Sequence, residues 1–174
     1  MTASRSAYAL VAMSLDPAER EIVERLALVP HPEGGLFREF FRSAERVTSA
    51  DGRERAAMTA IHFLLPGGAH SRWHRVRSDE QWTHLEGAPL ELFVLEEGAR
   101  SVRRILLGPL AMEGEPSFVV PAGAAQAARA AQPYSLVTCT VGPGFDFADF
   151  LLVSESPSAR RRIEQLAPEL VTLL

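Results

Sequence analysis

The chain contains no lysine; all 18 of its basic residues are arginine. That absence excludes a Schiff base, a Walker-type phosphate-binding lysine and a lysine general base. Cysteine occurs once, at Cys139, which rules out an intrachain disulfide and a cysteine-rich zinc site. It sits in the apolar, β-branched run SLVTCTV, the setting of a buried inert thiol rather than a nucleophile. No apolar stretch reaches membrane-spanning length. The opening MTASRSAYALVAMSL carries one arginine and a short apolar run, and residues 1–14 are read as a frayed tail rather than a signal peptide. The cytoplasm is the expected compartment. With a formal charge of −4 and a pI near 5.8, nucleic acid is not an expected partner.

What is present describes one globule. At 174 residues and 47% hydrophobic composition the chain is long enough for a single domain, here residues 15–174, that buries about 70% of its unfolded surface. Asp16-Pro17-Ala18-Glu19 reads as a helix start, with a capping aspartate, proline at the first helical position and a glutamate placed to close a capping box. The apolar stripe Ile22, Val23, Leu26 and Ala27 continues that helix to a stop before Pro30. The turn His31-Pro32-Glu33-Gly34-Gly35 then leads into a strand from Leu36 to Arg42. From Ala56 to about Val153, short apolar runs alternate with Gly/Pro-rich turns, the punctuation of an all-β sandwich or barrel without a βαβ rhythm. A second helix is expected over Pro157 to Leu166, and Pro168 restarts a last apolar turn.

The densest chemistry lies in Trp73 to Leu92, WHRVRSDEQWTHLEGAPLEL. Glu80, Trp82 and His84 occupy alternate positions, so in a strand they share one face. A charge, an indole and an imidazole on one face suit the wall of a pocket; an edge strand with a solvated polar face is the plainer alternative. Arg38 and Arg42 stand four apart and are expected on one side of LFREFFR, one of them reaching a pocket or both holding a dimer edge. His31 and Glu33 serve equally well as parts of a tight turn or of a site. Asp146 and Asp149 flank Phe147, one as a turn cap, with Asp146 placed to orient a histidine.

Five residues separate His74 from Glu80 and six separate Glu80 from Gly87, and Pro121 to Gln126 spells P-x-G-x-x-Q. The first block resembles the first cupin motif and the second resembles the second, with Val76 and Gln126 standing where histidines are usual. Together with HPEGG (31–35), R-E-x-x-R-S (38–43), T-A-I-x-F-L-L (59–65), W-H-R-x-x-S-D-E (73–80), P-L-E-L (89–92), V-P-A-G-x-x-Q-A (120–127) and G-F-D-F-x-D-F (144–150), the chain resembles a branch of small, uncharacterised cupins. The resemblance spans residues 31 to about 152. It implies a cupin-type double-stranded β-helix, a jelly-roll barrel with short helices at both termini, usually dimeric, with a pocket in the barrel.

The resemblance also orders the candidate residues. A cupin metal centre takes three imidazoles and a carboxylate. At the matching positions this chain offers His74, Glu80 and Gln126, with valine at the fourth, a deficient ligand set for a divalent metal. His84 and His62 are the candidates to complete it. A metal-free polar pocket is therefore the expectation, with a divalent metal as the alternative. Without a metal, Glu80 and His74 read as an acid–base pair. Arg38, Trp82, His84, Gln126 and Phe145 read as ligand-binding residues. Cupin epimerases pair a histidine base with a tyrosine acid, and Tyr134 is the candidate here. The expected function is binding a small polar metabolite such as a sugar derivative, with isomerisation or epimerisation. A metal-dependent oxygenase or isomerase and a non-catalytic sensing module are the alternatives.

Overall fold

A computed structural model describes residues 15–174, and the expected tail at 1–14, with Tyr8, lies outside the described residues. Helix α1 (Pro17–Leu26) begins as its sequence dictates. Asp16 Oδ1 accepts from the Glu19 amide at 2.8 Å, and Glu19 Oε2 accepts from the Asp16 amide at 2.8 Å. The helix ends at Ala27, in the left-handed conformation, ahead of Pro30.

Thirteen strands follow, running β1 (Val29–Pro30), β2 (Leu36–Arg42), β3 (Arg46–Thr48), β4 (Glu54–Ala56), β5 (Thr59–Pro66), β6 (His70–Val76) and β7 (Asp79–Gly87). The remainder are β8 (Leu90–Leu95), β9 (Arg103–Leu107), β10 (Ser117–Val120), β11 (Ala125–Ala130), β12 (Tyr134–Gly142) and β13 (Phe150–Leu152). They form a six-stranded sheet in the order β1-β2-β5-β12-β7-β10, a five-stranded sheet in the order β13-β6-β11-β8-β9, and the β3-β4 ribbon. All strand pairings are antiparallel. This is the expected all-β jelly roll. Helix α2 (Pro157–Leu166) and a 3-10 turn at Pro168–Leu173 close the chain.

Alternation along the strands separates the two faces of each sheet. Inward residues Phe63, Leu65, Trp82, Leu92, Val94 and Val137 pack between the sheets and fill one end of the barrel. Burying such side chains stabilises the fold by about 1.5–3 kcal/mol each. On the outer face of the five-stranded sheet, Trp73 and Phe93 pack against Ile163, Leu170 and Leu173 of the C-terminal segment. The Trp73 indole N–H donates to the Leu170 carbonyl at 3.2 Å, which fixes that segment in place. Helix α1 covers Leu36, Leu64 and Leu136 in a third cluster. The barrel is thus plugged at one end and sealed along two outer faces, leaving its other end to hold a cavity.

Candidate functional site: an acidic cavity at the open end of the barrel

The cavity is about 260 Å³ and lies against the six-stranded sheet. Strand β2 contributes Phe37, Glu39 and Arg42, β5 contributes Thr59 and Ile61, β7 contributes Glu80, and β12 contributes Cys139 and Val141. The 31–35 turn adds His31 and Glu33, and the loop after β12 adds Phe145, Asp146 and Phe147.

The turn that presents Glu33 depends on its glycines. Gly34 has φ +108°, and a Cβ there would sit 2.7 Å from the His70 carbonyl oxygen. Gly35 has φ +68°, and its Cβ would sit 2.8 Å from the Leu64 carbonyl oxygen. Only glycine permits both the backbone angle and this approach to β5 and β6. The Arg72 amide then donates to the Glu33 carbonyl at 2.7 Å and pins the turn over β6.

Glu33 lies between two imidazoles. Its Oε2 is 3.4 Å from His31 Nδ1 and 3.3 Å from His74 Nε2. His74 Nδ1 lies 2.7 Å from the Arg72 carbonyl oxygen, which can only accept, so Nδ1 carries the proton and Nε2 of the neutral ring is bare. His31 Nδ1 accepts from the Glu33 amide at 3.3 Å and is also bare. Burial lowers the His74 pKa to about 4, against the opposing pull of the Arg72 carbonyl. Burial first, and then the charge a protonated His74 would carry, lower His31 to about 3. Burial first, and then the Glu80 charge, push the Glu33 carboxyl well above the usual carboxylate range, with Arg72 opposing. Burial of all three groups, with two ring nitrogens facing the Glu33 carboxyl, favours the neutral form of each.

Glu80 is held differently. Its Oε2 accepts from the Gln126 amide nitrogen at 2.5 Å, and Gln126 Oε1 accepts from the Trp82 indole N–H at 3.0 Å. Burial raises its pKa from 4.5 to about 7, although hydrogen bonds from Gln126 and Cys139 favour the charged form. Burial, with the Glu80 and Glu33 charges adding, raises the Cys139 thiol well above its ordinary value, so it stays a thiol and is not a nucleophile. The cavity therefore holds two carboxyls, Glu33 held well above the ordinary carboxylate range and Glu80 poised to change charge near neutrality.

Of the residues singled out in the sequence, Glu80 and Phe145 line this cavity. His74 does not line it. The ring is 1% exposed, stacks on Phe150 at 5.4 Å and reaches the cavity only through Glu33. Trp82 and Gln126 are fully enclosed, and each spends its polar atoms on the chain linking Trp82 to Glu80. His84 shares the inward face with Glu80, but it lies four pairs further along β12, opposite Val137, where Nε2 meets the Ala88 carbonyl at 3.1 Å. The common face is present; the common cavity is not.

Arg38 is exposed and points away from the cavity, whereas Arg42 lines it. The expectation that both share one side fails because β2 bulges between Glu39 and Phe41. The extra residue reverses the alternation, so Glu39 opposite Ile61 and Arg42 opposite Thr59 face inward together. Tyr134 is likewise remote, donating to Glu86 Oε1 at 2.6 Å at the plugged end. His62 stacks on Phe40 at 4.3 Å on the outer face of the sheet. Asp146 caps the 3-10 turn Phe147–Asp149 by accepting from the Ala148 amide at 2.8 Å, and orients no histidine among the described residues. Sequence reasoning gave no priority to Glu33, and the HPEGG turn was its signal.

A cupin-type metal does not fit this donor set. Gln126 has both amide atoms engaged, Val76 offers no ligand, and His74 has one nitrogen on a carbonyl and the other on Glu33. Among the described residues, no three His, Cys, Asp or Glu side chains converge to hold a metal ion.

Comparison with known proteins places the architecture. The model of the Cupin superfamily (DUF985) matches residues 20–153. The chain belongs to that family. A hypothetical protein from Leishmania major is similar at 33% identity, over 87% of this chain and 93% of that one, with a TM-score of 0.74. A protein from Shewanella oneidensis is similar at 30% identity, over 88% and 92% of the two chains, with a TM-score of 0.73. Oxalate decarboxylase from Bacillus subtilis shares the fold alone, at 17% identity, over 83% of this cupin and 37% of that chain, with a TM-score of 0.51. No curated protein matches the sequence of this cupin. No helix among its described residues is long and apolar enough to cross a membrane.

Proposed function

We propose that this cupin binds a small polar metabolite, such as a sugar derivative, and moves a proton on it without a resident metal, as an isomerase or epimerase does. The observation that carries this reading is the pairing of Glu80 and Glu33 in one cavity with separated proton affinities. Glu80 as carboxylate takes a proton from an activated carbon of the ligand. Glu33 gives its proton to the ligand oxygen that gains electron density; Glu80 then returns the carbon proton at the neighbouring or inverted position and Glu33 recovers a proton from the ligand hydroxyl, so both carboxyls end as they began. His74 and His31 are positioning residues in this scheme, because their bare nitrogens hold the Glu33 acid in place. Gln126 and Trp82 fix the Glu80 carboxylate, and their rigidity supports pre-organised transfer.

The cavity lies just under the roughly 300–1,000 Å³ of drug-sized pockets, which supports a metabolite rather than a polymer. The reading is tested by incubating the protein with ligands from a melting-temperature screen in deuterated water. Solvent deuterium entering a carbon-bound position, and lost in Glu80→Gln, is the expected result. Tight ligands that gain no deuterium would leave the cavity a binding module and overturn the reading.

A further inference from the structure

We propose that the cavity selects a small monocationic amine carrying hydroxyl groups, an amino sugar or amino alcohol, over its neutral or anionic counterparts. This names the ligand class of the same site and rests on the proton-transfer reading only for the site's location.

The charged part of the lining is mostly carboxyl, with Glu33, Glu39, Glu80 and Asp146 set against Arg42. Glu33 Oε2 is taken up by the two imidazoles, but Oε1 has no hydrogen-bond partner among the described residues, and the side chain is 7% exposed and lines the cavity. A ligand that fills the cavity takes water from this acceptor and must supply a donor in its place. Glu80 accepts from the neutral Gln126 and forms no ion pair among the described residues, so its negative charge has no counter-ion among them. Asp146 adds a second carboxylate at the rim, with Oδ1 used by Ala148.

The lining arginine does not offset this. Arg42 is gripped by Glu39, Nε to Oε1 at 2.8 Å and Nη2 to Oε2 at 2.7 Å, and Nη2 also donates to the Phe145 carbonyl at 3.2 Å. The two-point carboxylate clamp offsets the guanidinium charge and leaves only its Nη1 N–H groups without a partner among the described residues, so an anionic ligand gains little from it. The histidines add little positive charge, since His31 Nδ1 accepts from the Glu33 amide and burial disfavours the charged form of both rings. Phe37, Phe145 and Phe147 complete the walls with aromatic surface, which attracts a cation and repels an anion. An ammonium would pair with Glu80, and hydroxyl donors would reach Glu33 Oε1. The acidic, aromatic lining thus sets both charge and hydrogen-bonding polarity.

Two trios of probes separate charge from shape: glucosamine, glucose and glucuronate on a hexose frame, and serinol, glycerol and glycerate on a three-carbon frame. Dissociation constants are measured by calorimetry or ligand-observed NMR on the full chain at neutral pH. In at least one frame the amine should bind at least about tenfold more tightly than the neutral molecule, with the anion weakest. Glu80→Gln should erase that preference. Arg42→Gln frees Glu39 and should tighten amine binding, a gain that simple loss of structure cannot produce. Equal or tighter binding of the neutral or anionic probe in both frames overturns the proposal, and so does failure of both amines to bind at millimolar concentration. The two readings fail separately. Amines that bind but exchange no deuterium sink proton transfer and leave the ligand class standing; a tighter anion that does exchange sinks the ligand class alone.

Discussion

Replacing Glu80 by glutamine preserves the shape of the side chain and removes its ionisation, so comparing the two proteins across pH isolates what the buried charge costs. In the folded protein the Glu80 pKa stands at about 7 instead of 4.5, because burial disfavours the charged form. A group that holds its proton more tightly when folded gives stability that is complete below the unfolded pKa and is lost as pH rises through the folded one. The window is therefore pH 4.5 to about 7. The shift corresponds to about 3 kcal/mol at the alkaline end. Glutamine keeps an acceptor for the Gln126 amide but loses the charge assistance of that bond, a cost of about 1 kcal/mol. The net expectation at pH 8 is a variant more stable by about 2 kcal/mol, or about 4–8 °C in Tm for a domain of this size. At pH 5 wild-type Glu80 is mostly protonated, and the variant should be equal or slightly less stable. Thermal melts of both proteins from pH 5 to 9 give the difference directly, and contributions from the histidines and Glu33 largely cancel in it. A Tm difference of constant sign and size across that range would refute the burial argument.

Other expectations follow from the same network. His31 and His74, lowered to about 3 and about 4, give stability present above the ordinary 6.5 and lost as pH falls. Melts of Glu80→Gln between pH 7 and 4 should therefore show a steep acid decline, and a flat profile would contradict the neutral imidazoles. Trp82→Phe removes the indole donor and strands Gln126 Oε1, which should cost about 1–3 kcal/mol in urea denaturation. A cost near zero would show that the link to Glu80 does not constrain it. We also propose a homodimer burying more than about 1,000 Å², since Phe40 and Phe41 on β2 are about half exposed. Light scattering at high micromolar concentration should give twice the chain mass, and a monodisperse monomer would contradict it.

Much of the frame was legible because its causes are local. The Asp16–Glu19 capping box, strand Leu36–Arg42 and helix Pro157–Leu166 all stand where cap, proline and periodicity place them. The inward face shared by Glu80, Trp82 and His84 follows from strand alternation, and holds. What alternation cannot supply is how far along the barrel the cavity runs. That is set by the side chains that plug the other end, so Trp82 and His84 fall outside the cavity and Glu80 within it. The exchange of Arg38 for Arg42 has one cause, the bulge between Glu39 and Phe41, and bulges arise from pairing with β5 rather than from the strand itself. Glu33 was hidden for a different reason. Its partner His74 is distant in sequence, and only the folded turn, pressed by Gly34 and Gly35 onto β6 and β5, brings carboxyl and imidazole together.

The central claim, two carboxyls of unequal proton affinity in one cavity, is most directly tested by titrating them. Protein labelled with carbon-13 at the glutamate side-chain carboxyl carbon, with signals assigned by Glu80→Gln and Glu33→Gln, reports each group by NMR. The account predicts a Glu80 midpoint at about 7 and a Glu33 carboxyl still protonated where Glu80 begins to ionise. Two midpoints near the ordinary carboxylate value of 4.5 would contradict it and leave the cavity without its proposed acid and base.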